Sequence, residues 1–130
     1  MKARITELVS EAGSEPLVRL ETPAGSAVLR ARTQSTQLVC GTPVTVEFEI
    51  NELMTMGLNT KPATTRRCAL EDRDGRVLMT GLVDAIDLDG LVYFRLGTDC
   101  LIMLEAAPGQ FEVGSWLDLD LDAASVVAYL

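Results

Sequence analysis

Val39-Cys-Gly-Thr-Pro-Val-Thr-Val-Glu-Phe-Glu49 and Glu112-Val-Gly-Ser-Trp-Leu-Asp-Leu-Asp-Leu-Asp122 are the two stretches whose reading decides the fold. Each places a glycine, Gly41 or Gly114, just ahead of an alternating run. In the first, Val44, Val46, Phe48 and Ile50 interleave with Thr45, Glu47 and Glu49; in the second, Leu117, Leu119 and Leu121 interleave with Asp118, Asp120 and Asp122. A period of two puts every apolar side chain on one face and every polar one on the other, the pattern of a half-buried strand. The like-charged rows Glu47/Glu49 and Asp118/Asp120/Asp122 would repel if set directly opposite, so the two strands are not expected to be neighbours.

Working outward, Thr6-Glu-Leu-Val-Ser10 falls on Thr80-Gly-Leu-Val-Asp84, and Leu17-Val18 falls on Leu91-Val92. Alternating strands match one another in any register, so the weight rests on the glycines and the long ungapped run. The self-similarity predicts an internal repeat, residues 2–54 and 76–127, joined by a linker at 58–66 within one compact unit, 1–130. Turn chemistry divides the halves further. Pro23-Ala-Gly-Ser26, Asp72-Arg-Asp-Gly75 and Asp87-Leu-Asp-Gly90 each lie between strand-like runs, and Asp-Gly suits the positive φ angles of tight hairpins. Ala107-Pro-Gly-Gln110 marks a further loop. The expectation is an all-β protein of about eight or nine short strands, two related four-to-five-strand units forming one pseudo-symmetric barrel or two fused OB-like barrels. Asn51-Glu-Leu-Met-Thr-Met-Gly-Leu58 is the exception, read as a short helix over 51–57. Asn59-Thr-Lys-Pro-Ala-Thr-Thr65 has the composition of an exposed linker.

Composition narrows the function classes. The chain of 130 residues, 48% hydrophobic and 23% charged, has the balance of a folded soluble domain with one core. Its start lacks the apolar run of a signal peptide, and no segment approaches a membrane span, so the expected location is cytoplasmic. Cys40, Cys68 and Cys100 have no metal or redox spacing and sit in apolar runs, which reads as buried thiols in a reducing compartment. Histidine is absent, which excludes Ser-His-Asp and Cys-His catalysis and the usual zinc sites. A net charge of −8 disfavours nucleic acid and anionic membranes and is compatible with a basic protein partner.

Two residue groups stand out. Along a strand, Asp118, Asp120 and Asp122 would sit about 6.8 Å apart, too widely for one calcium site, so no metal is expected. With Glu47 and Glu49 they read as partner-binding faces that also guard sheet edges. Asp72-Arg-Asp-Gly75 lacks the glutamate of a calcium loop and reads as a hairpin turn. Lys61, Thr64, Thr65, Arg66 and Arg67 form the one basic, hydroxyl-rich cluster, a candidate anion site. Trp116, Tyr93, Phe94 and Phe111 are too scattered for base stacking, and Trp116 is placed in the core or at a barrel mouth.

Gly81-Leu-Val-Asp84, Leu91-Val-Tyr-Phe-Arg-Leu-Gly97 and Val113-Gly-Ser-Trp-Leu-Asp-Leu-Asp-Leu121 resemble the transport-associated OB-type barrels, the TOBE and molybdate-binding Mop domains. That resemblance implies oxyanion binding or a regulatory role. Arg66-Arg67, Ala85-Ile-Asp-Leu-Asp-Gly90 and Val113-Gly114 are similar in order to the landmarks of PilZ barrels. Ala85 and Asp87 stand where that family's cyclic-dinucleotide motif has an acid or amide and a serine, so the resemblance implies a member acting through protein contacts. The expected function is therefore a non-enzymatic acidic binding module, an adaptor or inhibitor-type protein partner without a cofactor. A homo-oligomer is compatible with it. The alternative is a barrel that senses a small anion or nucleotide.

Overall fold

The computed structural model describes residues 1–10, 15–33 and 38–130; positions 11–14 and 34–37, within the segment 2–54 expected to form one copy of the repeat, lie outside the described residues. The described chain is all-β, with twelve strands: β1 (Lys2–Ser10), β2 (Leu17–Thr22), β3 (Gly25–Arg32), β4 (Pro43–Thr45), β5 (Glu47–Ile50), β6 (Thr60–Pro62), β7 (Ala69–Arg73), β8 (Arg76–Ile86), β9 (Val92–Gly97), β10 (Cys100–Leu104), β11 (Trp116–Asp122) and β12 (Val126–Tyr129). All twelve belong to one hydrogen-bonded sheet that curls around a single core cluster, with Phe94, Ile5, Leu20, Leu29, Met79 and Leu119 among its fully buried side chains. The count exceeds the eight or nine expected because long-range partners recruit short segments that carry no strand signal of their own.

The hairpins follow their turn chemistry. At the β7–β8 turn, Asp74 and Gly75 both have positive φ (50° and 77°), the signature of a tight primed turn. At the β8–β9 turn, the Asp87 carboxylate accepts the N–H groups of Asp89 (3.0 Å) and Leu91 (2.9 Å). The β2–β3 turn ends at Gly25 (φ 138°), which sits so close to β7 that an added Cβ would overlap the Leu70 carbonyl. There β3 and β7 run parallel and the two halves of the sheet meet.

The alternating run 43–50 keeps its inward set, with Val46, Phe48 and Ile50 buried, but changes partner at Val46. Before that residue β4 pairs with β1; after it β5 pairs with β12, and Val46 itself donates to the Met1 carbonyl (2.8 Å). One continuous strand pattern thus serves two parts of the sheet. Strand β12 lies between β5 and β3, antiparallel to one and parallel to the other, and all of Val126, Val127 and Ala128 are buried.

Strand β1 pairs with β2 and β4, and β2 with β3; β8 pairs with β9 and β11, and β9 with β10, but β8 also pairs with β7 and β11 with β6, so the pairings of the two segments do not coincide. Gly41 and Gly114 share positive φ (86° and 91°), and each donates its N–H to a strand carbonyl, Ile5 and Val83 respectively. Those carbonyls do not correspond in the sequence alignment, which sets Ile5 against Met79.

Four expectations are corrected. Residues 51–57 form no helix: Met54 and Met56 make isolated bridges to Ala106 and Thr60, and the Met54 N–H is taken by the Glu105 carbonyl (2.8 Å). Among the described residues the one helical element is the three-ten turn Ala123–Ser125. The linker 58–66 is not simply exposed, because Thr60–Pro62 pairs with β11, and Asn59 and Thr60 are buried. The acidic row on β11 guards no edge, since β11 is flanked by β8 and β6. Of the three thiols, only Cys100 is buried; Cys68 is half-buried and Cys40, beside the Gly41 turn, is exposed.

Burial pushes the Cys100 thiol up to about 11 from its ordinary 9.0. The unfolded chain then ionises this thiol first, so its contribution to stability is intact below about pH 9 and is lost as pH rises toward 11. The difference in unfolding free energy between the protein and its Cys100→Ala variant is expected to shrink by about 2 kcal/mol over that window. Urea titrations of both proteins at several pH values measure it, and parallel pH curves would contradict it.

Candidate functional site

The outer face of β7, β8, β11 and β6 brings together charged side chains from four strands. Inward residues of β8 (Val77, Met79, Gly81, Val83) and of β11 (Leu117, Leu119, Leu121) are buried, which turns Arg76, Leu78, Thr80, Asp118 and Asp120 outward. Register then decides the neighbours. Asp118 lies opposite Thr80 on one side and Lys61 on the other, while Asp120 and Asp122 lie opposite Leu78 and Arg76. The Thr80 hydroxyl donates to Asp118 (2.6 Å), and Arg76 donates through Nε to the Asp120 carboxylate (2.8 Å) and through Nη2 to its carbonyl (3.0 Å). The Asp120 carboxylate raises the Arg76 pKa further. Asp122 caps the three-ten turn by accepting the Ala124 N–H (2.9 Å).

A turn at residues 55–60 forms the far lip. Its organiser is Asn59, 6% exposed, whose Oδ1 accepts the Thr55 N–H (2.8 Å) and the Thr60 hydroxyl (3.1 Å). Its Nδ2 donates to the Glu52 carboxylate (2.6 Å) and the Leu53 carbonyl (2.9 Å). Glu52 in turn accepts the Ser125 hydroxyl (2.9 Å), tying the lip to the end of β11. The turn buries Met54 completely but leaves Leu58 81% exposed at the rim. Between lip and sheet lies a groove of about 630 Å³, lined by Leu58, Lys61, Thr65, Glu71, Arg76 and Asp118 among others.

The groove draws from both residue groups named from sequence. Lys61 and Thr65 meet Asp118 and Asp120 there, whereas Thr64, Arg66 and Arg67 are exposed and lie outside it. Glu47 and Glu49 are elsewhere, on β5, which is not paired with β11, as like-charge repulsion requires. Glu49 accepts the Tyr129 hydroxyl (2.6 Å), which raises the pKa of that phenol. Arg32 donates to the same hydroxyl (2.8 Å), lies over the ring and pairs with Glu15. Arg73, Arg76, Glu71 and Thr80 belong to the groove and were not singled out from sequence. The Asp72–Gly75 hairpin was a usable signal, because it sets Arg73 opposite Arg76 at one end of the sheet.

Among the described residues, no three of His, Cys, Asp and Glu converge where they could hold a metal ion, and no helix is long and apolar enough to cross a membrane. Comparison with protein-family models, with curated proteins and with solved structures finds no match for this chain.

Proposed function

We propose that the chain is a non-enzymatic protein-binding module, and that the groove bounded by β6, β7, β8 and β11 is its contact surface. The observation that carries this reading is an exposed leucine, Leu58, standing at the rim of a groove in which Arg76 is paired with Asp120 and Asp118 is bonded to the Thr80 hydroxyl. An apolar anchor beside a fixed polar surround is the composition of a protein interface. A small anion suits the groove poorly. Glu71, Asp74, Asp118 and Asp120 outnumber Lys61, Arg73 and Arg76, and Arg76 is already committed to Asp120.

Quantitative affinity isolation tests the proposal with Leu58→Ser and Glu71→Lys, both exposed positions whose replacement leaves the core intact. A protein retained by the unaltered chain is expected to be lost about tenfold or more with either variant. Equal retention by all three would refute the groove as the contact surface. In parallel, millimolar phosphate, sulfate or cyclic dinucleotide is expected to leave Tm unchanged. A ligand at a hundred times its Kd would add about 2.7 kcal/mol, and a rise of that size would favour the anion-sensing alternative.

A further inference from the structure

Strand β10 is apolar along its whole length: Cys100, Leu101, Ile102, Met103, Leu104. A strand covered on one face alternates apolar with polar residues, and an unbroken apolar run belongs to a strand covered on both. Here only one face is covered. Cys100, Ile102 and Leu104 are buried, while Leu101 is 47% and Met103 60% exposed. Strands β5 and β11 obey the rule that β10 breaks, presenting glutamates and aspartates outward.

Register extends the apolar surface across the sheet. Met103 lies opposite Tyr93, and Tyr93 opposite Ala85; Leu101 lies opposite Arg95, which is opposite Leu82, itself opposite Trp116. Val113, 61% exposed, adds to it from the loop that enters β11, anchored by the adjacent Gly114 N–H on the Val83 carbonyl (2.8 Å). Where β10 ends the exposed charges are acidic, while Arg66 and Arg67 are exposed next to Cys68, whose thiol donates to the Arg95 carbonyl (3.6 Å). Glu105 and Glu112 are exposed at the same end, in the loop leaving β10. The cation within the strip, Arg95, is occupied by Asp84 (3.0 Å) and by the carbonyls of Gly97 (3.3 Å) and Thr98 (3.0 Å).

We propose that the outer face of β8–β9–β10 docks a basic amphipathic segment of a partner protein, with apolar side chains over Leu101, Met103 and Tyr93 and lysines or arginines against Glu105 and Glu112. A second copy of this chain is a poor occupant, because it would bring two carboxylate rims and two net charges of −8 together. The proposal rests on the binding-module reading but uses residues separate from the groove, so the two fail separately.

Fluorescence anisotropy with the intact protein tests it, using a synthetic peptide that alternates leucine with lysine and a control of equal charge that alternates glutamine with lysine. The leucine peptide is expected to bind about tenfold or more tightly than the control, and Met103→Lys or Leu101→Lys to remove that advantage. Leu58→Ser and Glu71→Lys are expected to leave it intact. Equal binding of the two peptides would reduce the effect to net charge and overturn the proposal. Loss of binding only in the groove variants would overturn it while leaving the groove reading in place. A dimer in sedimentation equilibrium that Met103→Lys dissociates would also overturn it, by assigning the face to a second copy.

Discussion

Alanine at Gly25 is expected to cost roughly 4 kcal/mol, a large part of the 5–15 kcal/mol that stabilises an ordinary domain. Two effects add. At φ 138° the backbone occupies a region that L side chains rarely adopt, and the new methyl would overlap the Leu70 carbonyl of the neighbouring strand. Neither can relax cheaply. The Leu70 N–H is bonded to the Ala24 carbonyl (2.9 Å), and the Thr22 hydroxyl bridges the turn by donating to the Gly25 carbonyl (2.9 Å) and accepting the Ala24 N–H (3.1 Å). Gly75→Ala separates the two contributions, since Gly75 has positive φ (77°) but open space where its Cβ would be. That variant is expected to lose only about 1 kcal/mol. Urea unfolding of both proteins measures the difference, and comparable losses would show that the close approach of β3 and β7 carries no weight.

Asn59→Ala is expected to cost about 3 kcal/mol and to loosen the groove rim before the rest of the sheet. The substitution strips the Thr55 N–H and the Leu53 carbonyl of their side-chain partner and removes a charge-assisted bond to Glu52. These groups are partly or wholly shielded from water, so their loss is not fully recovered by solvent. Hydrogen exchange should show faster opening of the Thr55 amide, with protection in β2 and β9 preserved. Uniform acceleration across the sheet would mean that the turn is not a separable unit.

These two residues also mark the limits of reading this chain from sequence. Hairpin turns were legible because their chemistry is local: Asp74-Gly75 needs nothing beyond its own backbone to favour a tight reversal. Strands β5 and β11 were legible because alternation reports which face is buried. Asn59 was not, since its burial is created by β11 pairing with Thr60–Pro62, far along the chain. The misassigned helix at 51–57 has the same origin: the Met54 and Thr55 N–H groups are satisfied by Glu105 and Asn59 rather than by a helical turn. In the groove, the acidic row and Lys61 were each visible. Their meeting was not, because it is a property of register between strands that are distant in sequence.

Strand β12 has a consequence for how the chain is made. Neither β3 nor β5 can fill its free edge until Val126–Tyr129 arrives to lie between them. A growing polypeptide emerging from the ribosome would therefore expose two unsatisfied ladders until Val126–Tyr129 has been made, long after β3 and β5 are complete. Shielding of those edges by a chaperone in that interval, or rapid synthesis of the stretch that follows β5, would govern the yield of correctly closed molecules more than the stability of the finished sheet.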